Sequence, residues 1–169
     1  MAQYTIRQKY FALKDKFAIN DIYGEPKFYC DTKLITIPKK FWLQTAGGKK
    51  LFMARFRPFS IRGRVDIYRG EDKSDGISAI IKQKLFCPIR KKLYVRSERY
   101  GDYFIKGGII GDWGFKIYEG DSDDGKLVAT ISKRVLKIAD TYDIYIDSKY
   151  EAFMLLLCVV LDAKYHKKH

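Results

Sequence analysis

The chain has 169 residues, 47% of them hydrophobic and 15% aromatic, which suits one domain with its own core and excludes a disordered or collagen-like chain. Lys and Arg outnumber Asp and Glu by 33 to 20, a formal charge of +13, which is more than solubility requires and points to an anionic partner, either membrane headgroups or nucleic acid. Three scattered cysteines, Cys30, Cys87 and Cys158, form no CxxC pair, and the histidines, His166 and His169, are confined to the tail; this argues against zinc and for a reducing, cytoplasmic setting.

In chain order, the N-terminus MAQYTIRQKYFALKDKF has no apolar core of a secretory signal, so none is expected. It opens a unit that recurs. Ile6 to Ile19 aligns without a gap to Ile131 to Ile144, pairing Leu13 with Ile138, Asp15 with Asp140 and Phe17 with Tyr142. Ile81 to Val95 repeats it with one extra residue. Ala54 to Ile67 is a fourth copy, with Arg57 in the place of Lys9, Phe59 of Phe11 and Ile61 of Leu13; Cys30 to Leu43 is a weaker fifth. Each unit reads as an apolar strand bearing a basic residue, a tight polar turn and a second, alternating strand. The expected turns are Lys14-Asp15, Pro38-Lys39, Arg62-Gly63, Arg90-Lys91 and Ala139-Asp140, with Gly- and Asp-rich hairpin connections between units.

Gly107 to Phe115 (GGIIGDWGF) lacks the spacing of a dinucleotide-binding loop, and no helix follows it; bent strands around a buried Trp113 are the better reading. Asp121 to Gly125 (DSDDG) has the oxygen ligands of a calcium loop. Arg134 stands where such a loop needs its bidentate Glu, so a hairpin turn is preferred and no metal or cofactor is expected. Ala152 to Leu161 carries no charge, so the helix expected over about 149–163 cannot lie on a surface. Ser148 with Glu151 forms a capping box for it. The run is too short for a bilayer span, which takes roughly 20 residues, and residues 164–169 form a basic tail.

Ten to twelve antiparallel strands dispose of their edges by closing, and a barrel of that size has a lumen its own side chains cannot fill. The apolar helix supplies the missing volume. The expectation is one mainly-β domain over residues 1–163, a closed antiparallel barrel around a central C-terminal helix.

The IRQKYF…KDKFAI…DIYGEP unit, the ISKR…ADTYDI unit and the terminal apolar helix resemble the LURP-one-related family, similar in fold to the phospholipid scramblases and the Tubby C-terminal domain. The resemblance covers nearly the whole chain and implies twelve strands around the helix. It supplies no catalytic constellation. The chain lacks the proline-rich extension and cysteine cluster of scramblases.

With histidine only in the tail, nucleophilic catalysis is not expected. The candidate site is cationic: Arg7, Lys9, Lys33, Arg55, Arg57, Arg62, Arg64, Lys82, Lys84 and Arg134. Stacked repeats would set Lys9, Lys33, Arg57, Lys84 and Arg134 around one rim, against an anionic membrane surface. The aromatics alternate along strands, so they are assigned to the core and not to base stacking, which argues against nucleic acid. Two functions stay open: a non-enzymatic module for anionic lipid headgroups, cytoplasmic and peripheral at the membrane, or a structural or regulatory protein-interaction domain without a specific ligand.

Overall fold

The computed structural model describes residues 1–8, 16–33, 38–85, 90–109, 114–134 and 140–165, and for Arg7, Gln8, Lys33, Arg90, Ile109, Arg134 and Asp140 the backbone alone. The strands are β1 Ala2–Gln8, β2 Lys16–Asp21, β3 Pro26–Lys33, β4 Lys40–Thr45, β5 Lys50–Phe56, β6 Val65–Arg69, β7 Ile77–Gln83, β8 Arg90–Arg96, β9 Tyr103–Ile109, β10 Gly114–Glu119, β11 Leu127–Arg134 and β12 Asp140–Ile146; the helix α1, Glu151–Tyr165, follows. Each strand pairs antiparallel with its neighbours in sequence, and β1 closes onto β12 from Ala2↔Ile146 to Gln8↔Asp140. This is the closed twelve-stranded barrel expected from the sequence.

The repeats are its hairpins. Within each one, a buried residue of the first strand faces a buried residue of the second: Ile6↔Ile19, Cys30↔Leu43, Ala54↔Ile67, Ile81↔Val95 and Ile131↔Ile144. A sixth hairpin, β9–β10, brings Ile105 opposite Ile117 in the same way. It escapes the alignment for two reasons. Its connection is one residue shorter than the common spacing, and Gly107 interrupts its apolar pattern. A Cβ at Gly107 would sit 2.9 Å from Cβ of Lys91 and 3.0 Å from the Phe115 ring, so the close approach of β8 and β10 there excludes a side chain.

Alternating connections give the barrel two distinct ends, one holding the odd-to-even turns and the other the even-to-odd turns. Helix α1 enters at the even-to-odd end after β12. Its residues Phe153 to Asp162 are all buried, which a helix apolar on every side requires. Each of its large apolar side chains contributes roughly 1.5–3 kcal/mol of gross burial. At the entry the Phe153 ring stacks on Tyr100 at 4.4 Å, and Tyr150 meets Tyr100 edge-on at 5.2 Å. At the exit Tyr165 stacks on Phe115 at 5.5 Å, and half-buried Lys164 donates from Nζ to the Gly63 carbonyl in the β5–β6 turn (3.0 Å). Those exit contacts carry the helix two residues beyond the expected end.

The expected cap is present in altered form. Ser148 Oγ accepts from the Tyr150 N–H (3.1 Å), while the Glu151 carboxylate accepts from the Tyr4 hydroxyl, tying the first helical turn to β1. The acidic side chain still sits in the first turn, where the helix dipole favours it.

Two expected turns are corrected. Arg90 to Lys92 is not a turn: these residues begin β8. Their register with β9 shifts between Arg90 and Lys92, where β9 carries the additional residue, a bulge between Lys106 and Ile109. Asp140 is likewise the first residue of β12. The alignment also placed Phe59 and Ile61 with strand positions, yet both lie in the β5–β6 turn, 96% and 94% exposed. Trp113 lies outside the described residues. The side chain of Gln8 is not described; Gln83 is half-buried at the barrel mouth.

Cys30 and Cys158 are free, fully enclosed thiols, and burial raises the pKa of both, Cys158 to about 12. The thiolate is the reactive form. Alkylation of the native protein, mapped by mass spectrometry, should therefore leave both unmodified until the barrel unfolds. Rapid labelling of Cys158 in the folded protein would contradict a sealed lumen.

Candidate functional site

Charge is segregated between the two ends. The even-to-odd turns carry Glu25, Glu71, Asp102, Asp121, Asp123 and Asp147, and five nearby cations pair with carboxylates there. Lys27 pairs with Asp21 (3.3 Å) and Glu25 (3.0 Å), Lys50 with Glu71 (2.6 Å), Arg96 with Asp121 (2.5 Å), and Lys126 with Asp147 (3.1 Å). In the DSDDG loop, Asp123 binds Lys106, whose hydrogen bond holds the Asp123 carboxyl below its ordinary range. Its carboxylates serve separate partners: Asp121 holds Arg96, Asp123 holds Lys106, and Asp124 accepts from Ser122. Gly125 packs its α-carbon against the Glu119 carbonyl with no room for a Cβ. An open groove of about 930 Å³ at this end is lined by Arg69, Arg96 and Arg99 together with Asp75, Glu98 and Asp102, a surface of mixed sign.

The odd-to-even end is cationic. Arg57, Arg62 and Arg64 lie in the β5–β6 turn, and Lys84 directly follows β7. Lys33 closes β3 and Arg134 closes β11, so four of the five predicted rim positions reach this end; Lys9 lies outside the described residues. Arg7 occupies β1 opposite Thr141, two residues short of Lys9 in sequence, and its side chain is not described.

Arg55, Arg57 and Lys82 extend the site down the outer wall. The turn is organised by one carboxylate. Asp66 is fully buried on the outer face of β6 and accepts from Arg57 Nε (2.6 Å) and Arg64 Nε (2.5 Å). Both pairs run through Nε, so Asp66 does not consume the two terminal nitrogens of either guanidinium. Arg62 Nε donates to the Gln83 carbonyl (3.0 Å), locking this turn to the end of β7. Lys84 lies over the Tyr94 ring at 5.9 Å.

Arg55 faces Asp66 across the β5–β6 ladder and Lys40 across β4–β5, and its Nε is buried without a hydrogen bond. Lys73, from the β6–β7 connection, joins this cluster. The positive charge of Arg55, with partial desolvation and the charges of Lys40 and Arg57, lowers the Lys73 pKa. Like charges held together in this way are relieved by an anion. Sequence reasoning missed Lys40 and Lys73. Lys40 stands beside a predicted turn, but Lys73 reads as an ordinary polar hairpin residue, and only the fold of its connection brings it to Arg55.

A closed antiparallel barrel filled by its own C-terminal helix, with one cationic end and no cluster of three or more His, Cys, Asp or Glu side chains poised for a metal among the described residues, defines a class of helix-filled barrel with a charged end surface. The chain belongs to the LURP-one-related family, whose model matches residues 2–162. A crystal structure of a protein from Arabidopsis thaliana is similar, with a TM-score of 0.65 over 96% of this chain and 91% of that one at 20% identity, a likeness of fold. Among curated proteins none matches the sequence.

Proposed function

We propose that the barrel is a non-enzymatic binding module that docks its cationic end onto an anionic membrane surface, as a peripheral protein on the cytoplasmic side. The observation that carries this reading is the charge segregation. At the even-to-odd end Lys27, Lys50, Arg96, Lys106 and Lys126 each pair with a carboxylate, whereas at the other end Arg55, Arg62, Lys82 and Lys84 cluster around Arg57 and Arg64, which are the two held by the buried Asp66. A cation held near an acidic membrane is worth on the order of 1 kcal/mol, and such contributions accumulate over one face. No helix among the described residues is long and apolar enough to cross a membrane, in keeping with attachment from the surface.

Co-sedimentation with vesicles tests it. The protein should pellet with phosphatidylserine-containing vesicles and not with phosphatidylcholine alone, and pelleting should fall steeply between about 50 and 500 mM salt, where the screening length contracts from beyond 10 Å to a few Å. Absence of binding to any vesicle would remove the membrane reading and leave the protein-interaction domain.

A further inference from the structure

The β5–β6 turn, Arg57 to Arg64, presents its two large apolar residues outward. Phe59 is 96% exposed and Ile61 94%, the two most exposed large apolar side chains of the described residues. Leu85, on the adjacent turn after β7, is 45% exposed. Large apolar side chains held out in solvent together on one fastened turn are a candidate site of interaction.

The turn is built and held at several points. The Arg57 N–H donates to the Arg64 carbonyl (2.9 Å), Ser60 N–H to Arg57 (3.3 Å) and Gly63 N–H to Ser60 (3.1 Å). Ser60 Oγ accepts from the Arg64 N–H (3.1 Å). Gly63 adopts φ +54°, a left-handed conformation that favours glycine, and a Cβ there would collide with Lys164 Nζ. The Gln83 N–H donates to the Arg62 carbonyl (2.9 Å), and Lys164 fastens the turn to the end of α1. So fastened, the turn carries Phe59 and Ile61 in solvent, between Arg57 on one side and Arg62 and Arg64 on the other.

We infer that Phe59 and Ile61 form a membrane-inserting wedge: the turn drives these two side chains past the headgroups of an anionic bilayer while Arg57, Arg62, Arg64 and Lys84 remain at phosphate level. This inference rests on the membrane reading above and adds to it a hydrophobic, salt-resistant component and an orientation, with the odd-to-even end down. Charge complementarity selects the occupant. An apolar tip collared by cations matches an acyl layer beneath acidic headgroups, the arrangement that interfacial membrane-binding segments use.

The test uses the full chain and large vesicles of phosphatidylcholine with phosphatidylserine, with and without brominated acyl chains. In Phe59→Trp, the difference spectrum against the unsubstituted protein should shift to the blue on vesicle binding and be quenched by the bromines. The double variant Phe59→Ala with Ile61→Ala should keep the thermal transition of the parent, because neither side chain is packed. It should bind anionic vesicles at least about tenfold more weakly, the order expected when two large apolar side chains no longer leave water, and its residual binding should vanish at high salt. If anionic vesicles still pellet the protein but the introduced indole is no better quenched than the native tryptophans, the wedge is overturned and headgroup binding stands. If no vesicle binds, both fall. If the parent instead forms a concentration-dependent dimer that the double variant abolishes, with no lipid quenching, the two residues bind a second copy of the chain and the wedge is likewise overturned.

Discussion

Leu156→Asp should eliminate the folded barrel. Leu156 is fully enclosed at the middle of α1, inside a continuous apolar cluster drawn from both β-strands and helix. Removing the leucine side chain from such a site costs about 2–5 kcal/mol by itself. The aspartate must then stay ionised without a partner or take up a proton, and an unpaired polar group in an apolar interior adds roughly 2–7 kcal/mol. The sum reaches the whole stability of a typical domain, about 5–15 kcal/mol. The strands cannot compensate, because a barrel without its helix encloses a void. The expected result is insoluble protein, or soluble protein without a cooperative thermal transition by circular dichroism. A soluble variant that melts cooperatively near the parent's temperature would refute the helix as the core. The same experiment separates a core helix from a membrane anchor, since an anchor variant would be released in folded form.

Asp66→Asn should lower the melting temperature while preserving the fold. The Asp66 carboxylate is fully buried and accepts from two arginine Nε–H groups, one on each oxygen. An asparagine of the same shape offers one acceptor oxygen and one NH2, so one guanidinium then faces a donor. A buried hydrogen-bonding group left unsatisfied costs roughly 1–3 kcal/mol. For a domain of this size that is about 2–4 °C per kcal/mol in the transition. Differential scanning calorimetry reads it directly. The substitution also releases Arg57 and Arg64 from their tether, so binding to anionic vesicles should change in the same preparation. An unchanged melting temperature would show that Asp66 does not organise the turn.

The barrel was legible in the sequence because its signals are local and repeated. Alternation along Tyr142 to Ile146 shows a strand with one buried face. The charge-free run Ala152 to Leu161 shows a helix that must be wrapped. Five of the six hairpins align because each places its inward pair at nearly the same spacing. The sixth is hidden by a spacing one residue shorter and by Gly107, which accommodates the close approach of Lys91 and Phe115. The start of β8 reads as a turn in the sequence, because a run of three basic residues resembles a solvated loop whether or not the backbone is hydrogen-bonded.

The candidate site was legible only as composition. The rim cations follow from the repeat, and Lys33, Arg57, Lys84 and Arg134 do reach one end of the barrel. Their individual states do not follow from it. Arg57 and Arg64 converge on Asp66 from opposite sides of the β5–β6 turn, and Lys73 reaches Arg55 from a different connection. Phe59 and Ile61 were assigned to strand positions by analogy with Phe11 and Leu13. Pro58 and Gly63 around them are the turn residues that could have corrected this.

The sequence by itself determined that this protein closes its strands around its own last helix, because hydrophobic periodicity records which face of each element leaves water. Only the tertiary structure decided where the charges and the exposed apolar side chains stand. Alternating connections send basic turns to one end and acidic turns to the other. Pairing of β5 with β6 aims Asp66 at two arginines, and the same turn holds Phe59 and Ile61 outside the core. Those placements depend on distances between residues far apart in the chain, which no local pattern encodes.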